Sequence, residues 1–152
     1  TTSLGGAFTC LGYVSEDGLS NNNELTVDAI KAWGGMIVYR SLNELNDNFA
    51  LTLIESENVD VLKAVYGDSN VTVDNDGNIT VQVTADDMGS GSWVIDMLMR
   101  GNRKKRIVIP NGTISELGTI SYKDDEAVGY EITITDVPDS TGVYHYEYLK
   151  AA

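Results

Sequence analysis

One cysteine, one histidine and two prolines are spread over 152 residues, and 10 basic side chains face 23 acidic ones. With Cys10 alone, no internal disulfide framework is possible. A zinc site of the usual histidine and cysteine ligands needs more of both than Cys10 and His145 supply. A hydrolytic triad lacks its nucleophile elbow, since no G-x-S-x-G occurs around any serine. The glycines at 89 and 91 are not followed by the Gly-Lys-Ser/Thr of a phosphate loop. Asp74 and Asp76 open like a calcium loop, but the glycine comes at the fourth position and Ala85 stands where a bidentate carboxylate is needed. No apolar run approaches the length that spans a bilayer. With no leader ahead of Thr1, a soluble product made in the cytoplasm is expected. Carboxylates are plentiful, yet no pair is singled out for glycoside hydrolysis by its spacing. The residue patterns therefore nominate no catalytic, cofactor-binding or metal-binding residue, and the chain reads as a non-enzyme.

The imbalance of charge is itself informative. A formal charge of −13 repels a phosphate backbone, which disfavours a reader of nucleic acid. It is compatible with a surface that must keep nucleic acid from sticking. Hydrophobic residues make up 42%, too many for a disordered chain, and the length suits one domain with one core.

Residues 1–24 are rich in glycine and asparagine and read as an N-terminal arm with little core of its own; residues 25–152 read as a single β domain. Phe8, Leu11 and Tyr13 in the arm need a surface to cover, either their own domain or a neighbouring copy. Trp33 before Gly34 and Gly35 marks a sharp bend. Strands are expected over 36–42 and 49–55, with the polar run 43–48 (NELNDN) as the loop between them. Period two then gives way to a helix over about 58–66. Asn58 is its N-cap, Asp60 lies in its first turn and Gly67 is suited to follow it. Val59, Leu62, Val65 and Tyr66 form one apolar stripe, so this short helix is expected to cover an open edge or end of the β structure.

Beyond the helix, 71–73 and 79–84 form a hairpin across DNDGN, and 93–100 and 103–109 a second across Gly101 and Asn102. Residues 86–91 read as a polar connector, and 123–126 as a turn between strands 113–122 and 128–135. A last strand over 143–149 carries Tyr144, Tyr146 and Tyr148 on one face, suited to an interface or to core packing. Arg103, Lys104, Lys105 and Arg106 form the one basic run. It is either a solvated hairpin face or a surface that meets an acidic patch on another copy. The whole is mainly β: an antiparallel sandwich or barrel of eight or nine strands with one short flanking helix.

Four stretches together resemble the tail tube (major tail) proteins of long-tailed, non-contractile bacteriophages. They are LGYVSEDGLS (11–20), DAIKAWGG (28–35), TLIESENVDVLKAVYG (52–67) and VIPNGTISELGTISYKDDEAVGYEITIT (108–135), and they are spread over most of the chain. The resemblance implies a virion protein that forms hexameric rings stacked helically into a tube. Its partners are then copies of itself, a tape measure protein and terminator and initiator proteins. Double-stranded DNA passes through without specific binding, and no membrane is involved. Six copies at −13 each carry a formal charge of −78, in keeping with an acidic bore. Glu44, Asp47, Glu55, Glu116, Glu131 and Thr133 are the expected lumen-lining residues. Phe8, Leu11, Tyr13, Trp33, the basic run and the three tyrosines are the expected contacts between subunits. The competing reading is a monomeric β-sandwich binding module, carbohydrate-binding or adhesin-like, with the tyrosines as its platform.

Overall fold

A computed structural model describes residues 3–84, 89–122 and 128–150. The expected turn at 123–126 and the first half of the connector at 86–91 lie outside them. Among the described residues the order is β1 (Val14–Lys31), β2 (Ile37–Leu53), α1 (Val59–Tyr66), a 3-10 turn (Asp68–Asn70), β3 (Val71–Val73), β4 (Ile79–Val81), β5 (Gly91–Met99), β6 (Arg103–Leu117), β7 (Tyr130–Asp136) and β8 (Tyr146–Lys150). The fold is mainly β with one short helix, a curled antiparallel sheet of the sandwich or barrel kind.

The main sheet runs β1-β2-β7-β6-β5, and β8 pairs with the first half of β6. β7 and β8 lie end to end along one side of β6, while β5 occupies the other. Alternation decides which face is buried. Phe49, Leu51 and Leu53 of β2 point inward, as do Tyr130, Ile132 and Ile134 of β7 and Ile107, Ile109 and Ile114 of β6. Val61, Leu62 and Val65 of α1 and Val71 of β3 complete this single core, so the helix packs against the sheet's inner face. Asn58 caps α1 by accepting the Asp60 N–H at 3.0 Å, and Gly67 follows it at φ 93°. The DNDGN hairpin forms as expected, with Asp74 accepting the N–H groups of Asp76 and Asn78.

Two expectations fail at the N-terminal end. Residues 43–48 are not a loop: β2 runs unbroken for 17 residues through them. They lie opposite Asn22, Asn23, Glu24, Leu25 and Thr26 of β1, so both sides of the ladder have turn-like composition and satisfy one another. β1 correspondingly starts at Val14, which places the second half of the expected arm inside the sheet. The hairpin turn lies instead at residues 32–36, where the Gly35 N–H bonds to the Ala32 carbonyl at 3.0 Å.

The strand expected over 113–122 is the end of β6, which passes straight through Pro110. Pro110 falls between Val108, the last residue facing β8, and Gly112, the first facing β7. A residue without an N–H is tolerated at such a break in the ladder.

Candidate assembly surface and a buried acid–histidine cluster

β7 pairs with β2 only from Asn48 to Leu53. Among the described residues β2 has β1 as its sole partner from Asp47 back to Ile37, so a two-stranded ribbon extends beyond the body of the sheet. Its apolar side chains have nothing to cover. Leu25, Val27, Ile30, Met36, Val38, Tyr39 and Leu42 are exposed, and Trp33 at the turn is 105% exposed. A ribbon of two strands is marginal in water, and apolar exposure on this scale marks a surface used in contact.

Among the described residues the sheet has open margins along β1, β5 and β8. Among the described residues β1 pairs only with β2, and β5 only with β6. Long free edges are templates for pairing with another chain. β1 carries Glu16, Asp17, Glu24, Asp28 and Lys31, and Asp96 is the one charged residue of β5. Arg100, Arg103 and Lys104 are exposed where β5 turns into β6. The rest of the basic run is engaged within the chain. Arg106 grips Asp96 through two bonds, of 2.6 and 2.7 Å, which hold the Asp96 carboxyl below its ordinary range; Lys105 meets Glu147 at 2.6 Å.

The expected lumen residues divide into two groups. Glu131 and Thr133 of β7 point away from the core beside Glu116 of β6, on a wet face that continues through Thr135, Ala50 and Thr52. Glu44 is exposed on the ribbon. Asp47 and Glu55 require correction. Asp47 is 1% exposed because its parity is that of Phe49, so it points into the interior. Glu55 lies beyond the end of β2 and accepts from the Tyr13 N–H and from Asn58 Nδ2, tying the N-terminal segment to the helix start. Gly12 passes close enough that a Cβ there would strike the Glu55 carboxyl.

Of the expected contact residues, Phe8 and Tyr13 are exposed, whereas Leu11 packs partly against the core. The tyrosine stripe is shorter than expected. β8 begins at Tyr146, so Tyr144 precedes the strand. Tyr146 and Tyr148 stack at 6.4 Å, but the Tyr146 hydroxyl donates to Asp139, leaving Tyr148 as the exposed ring. Asp139 also accepts from the N–H groups of Thr141 and Val143 and from the Thr141 hydroxyl, bonds that hold its carboxyl well below the usual range. A depressed carboxyl contributes stability above its unfolded value of 3.8 that is lost as pH falls through the folded value. The loop at 137–145 is therefore expected to loosen only on the acid side. Asp139→Asn is expected to flatten that acid limb, read from thermal unfolding across pH.

Sequence reasoning missed one cluster altogether. The inward ladder of β2 ends in Asp47 and that of β7 ends in Asp136, and the pairing of Asn48 with Thr135 sets the two aspartates side by side. His145 reaches in from the loop before β8: its Nδ1 contacts Asp47 Oδ2, and its ring meets Phe49 edge-on at 5.0 Å. Asn21 of β1 donates to Asp47 Oδ1 at 2.7 Å. Asp136 is 5% exposed, and among the described residues neither of its oxygens has a hydrogen-bond partner. Asp47 can partner it only when one of the two carboxyls carries a proton. Burial, then the charge of Asp47, pushes the Asp136 carboxyl up to about 7. Extending the period-two pattern of each strand by one step would have revealed both acids.

No helix among the described residues is long and apolar enough to cross a membrane. No protein-family profile matches the chain, and no curated protein matches it as a relative.

Proposed function

We propose that this chain is a structural protein that polymerises with copies of itself, and that its assembled form is the tail tube of a long-tailed bacteriophage, a conduit for DNA. The observation that carries the self-assembly is the open sheet: free margins along β1 and β5, beside a ribbon of uncovered apolar side chains. Because β1 and β5 are different surfaces, joining one to the other is a head-to-tail contact, which closes into rings or continues as a helix. Each new contact removes a free edge and extends the sheet. The ribbon, standing clear of the sheet's body, is suited to reach a copy in the next ring.

The tail tube identity and the number six rest on the resemblance of residues 11–20, 28–35, 52–67 and 108–135. Two properties of the chain agree with it. The charge of −13 makes a bore that repels phosphates across a water layer of roughly 8 Å, the screening length at physiological salt. The wet face of β2, β7 and β6 carries Glu116 and Glu131 among threonines and no lysine or arginine along Asn48–Leu53, Gly112–Leu117 and Tyr130–Asp136. Such a face offers duplex DNA neither cationic anchors nor apolar patches.

Negative-stain microscopy of the purified chain at rising concentration tests the reading. Rings or long hollow polymers of uniform diameter are expected. Discrete small particles at every concentration overturn it in favour of a monomeric module.

A further inference from the structure

Asp47, Asp136 and His145 each offer one ligand atom, and these atoms all lie within 4.8 Å of one another. The geometry points to a binding site for a divalent first-row transition ion of the zinc class, built from these two aspartates and this histidine at the base of the ribbon. In place of further histidine or cysteine, two buried carboxylates complete the donor set.

Three features support the assignment. First, Asp136 is buried with both oxygens unpartnered among the described residues and is aimed into the cluster. A buried polar group without a partner is costly, and an ion is the partner its two lone oxygens fit. Second, the cluster gathers two buried carboxyl groups around one imidazole, and a doubly charged cation matches the formal charge of two carboxylates. Third, the donors are mixed. An imidazole nitrogen with two carboxylate oxygens suits zinc and its neighbours, whereas calcium and magnesium take oxygen ligands in larger number.

Tetrahedral zinc at about 2.0–2.1 Å from each donor needs them roughly 3.4 Å apart, so His145 Nδ1 and Asp47 Oδ2, now in contact, would have to part while the widest separation closes by up to about 1.4 Å. Asn21 is already positioned behind Asp47, donating to its other oxygen at 2.7 Å, as an orienting partner does. Three protein ligands would leave a fourth position for water, and the His145 side chain retains 18% exposure. An ion here would staple β2 where the ribbon leaves the sheet, the end of β7, and the loop leading into β8. The ribbon's direction would then be set by metal coordination as well as by backbone pairing.

The test uses the full chain, metal-stripped and at a concentration where it stays soluble, so that it does not depend on assembly. Calorimetric titration with zinc chloride is expected to give one ion per chain. Zinc at 100 times its dissociation constant is expected to raise Tm by about 5 °C or more. Magnesium and calcium at the same concentration are expected to leave Tm unchanged. Cobalt is expected to give the visible spectrum of a low-symmetry, four-coordinate site. Asp136→Asn and His145→Gln, each checked for folding by circular dichroism, are expected to weaken zinc binding at least 100-fold. Zinc binding that survives both substitutions belongs to surface acids and overturns the proposal. So does a wild type that ignores zinc while Asp136→Asn raises its Tm, the result of two carboxyls that merely share a proton.

Discussion

Trp33→Glu combined with Leu42→Glu is expected to leave the isolated chain folded and to weaken its assembly at least about 30-fold. Both side chains are exposed on the ribbon and neither belongs to the core, so the folded chain loses almost nothing when they change. Substitutions at such positions shift stability by about 0.5 kcal/mol or less. Their value lies in contact with a second copy. A buried tryptophan at an interface is commonly worth about 2 kcal/mol or more, which is roughly a 30-fold change in each association constant. A polymer repeats that loss at every junction. The concentration at which polymer appears, measured by sedimentation and microscopy, is expected to rise at least about 30-fold while the circular dichroism spectrum and Tm stay close to wild type. Unchanged assembly would remove the ribbon from the contact surface.

Phe49→Ala is expected to do the reverse, damaging the fold itself. Phe49 is 0% exposed and sits in β2 between Asn21 of β1 and Ile134 of β7, where the ribbon joins the sheet. Its ring also supports His145 edge-on. Truncation removes a large apolar side chain and leaves a cavity that rigid neighbours such as Ile132 and Ile134 cannot fill, at a cost of about 3–5 kcal/mol. For a chain of this length that lowers Tm by roughly 6–20 °C. Calorimetry of the soluble chain measures it. A drop of only a degree or two would mean that the core is not organised around this residue.

What could be read in advance follows from how local the signal is. Asn58, Asp60 and Gly67 announce the helix because capping acts within one turn of chain, and the helix forms between them. The turns at 74–78 and at Gly101–Asn102 were legible for the same reason; Asn102 takes φ 57° beside Gly101 at φ 81°. Residues 43–48 misled because asparagine and aspartate prefer turns only when no other partner is offered. Here 22–26 across the ladder offers one, and Asn21 bonds laterally to Asp47. Pro110 misled in the same way, because a strand that changes partners midway has room for a residue that donates nothing.

Of the candidate surfaces, Trp33, Phe8 and Tyr13 are exposed apolar residues, and Glu116 and Glu131 lie on a wet face. Asp47 was misplaced because its charge argued for water while its parity placed it with Phe49 and Leu51. Register won, since a strand cannot turn one side chain over without turning all of them. That same rule placed Asp47 beside Asp136, a juxtaposition that depends on the pairing of two strands distant in sequence.

Hydrogen exchange on soluble and assembled protein addresses the joining of sheet margins most directly. Backbone amides along the outer edges of β1 and β5 are expected to exchange freely in the soluble chain and to become protected together on assembly, while the core amides of β7 change little. Polymer in which both edges continue to exchange as they do in solution would contradict it.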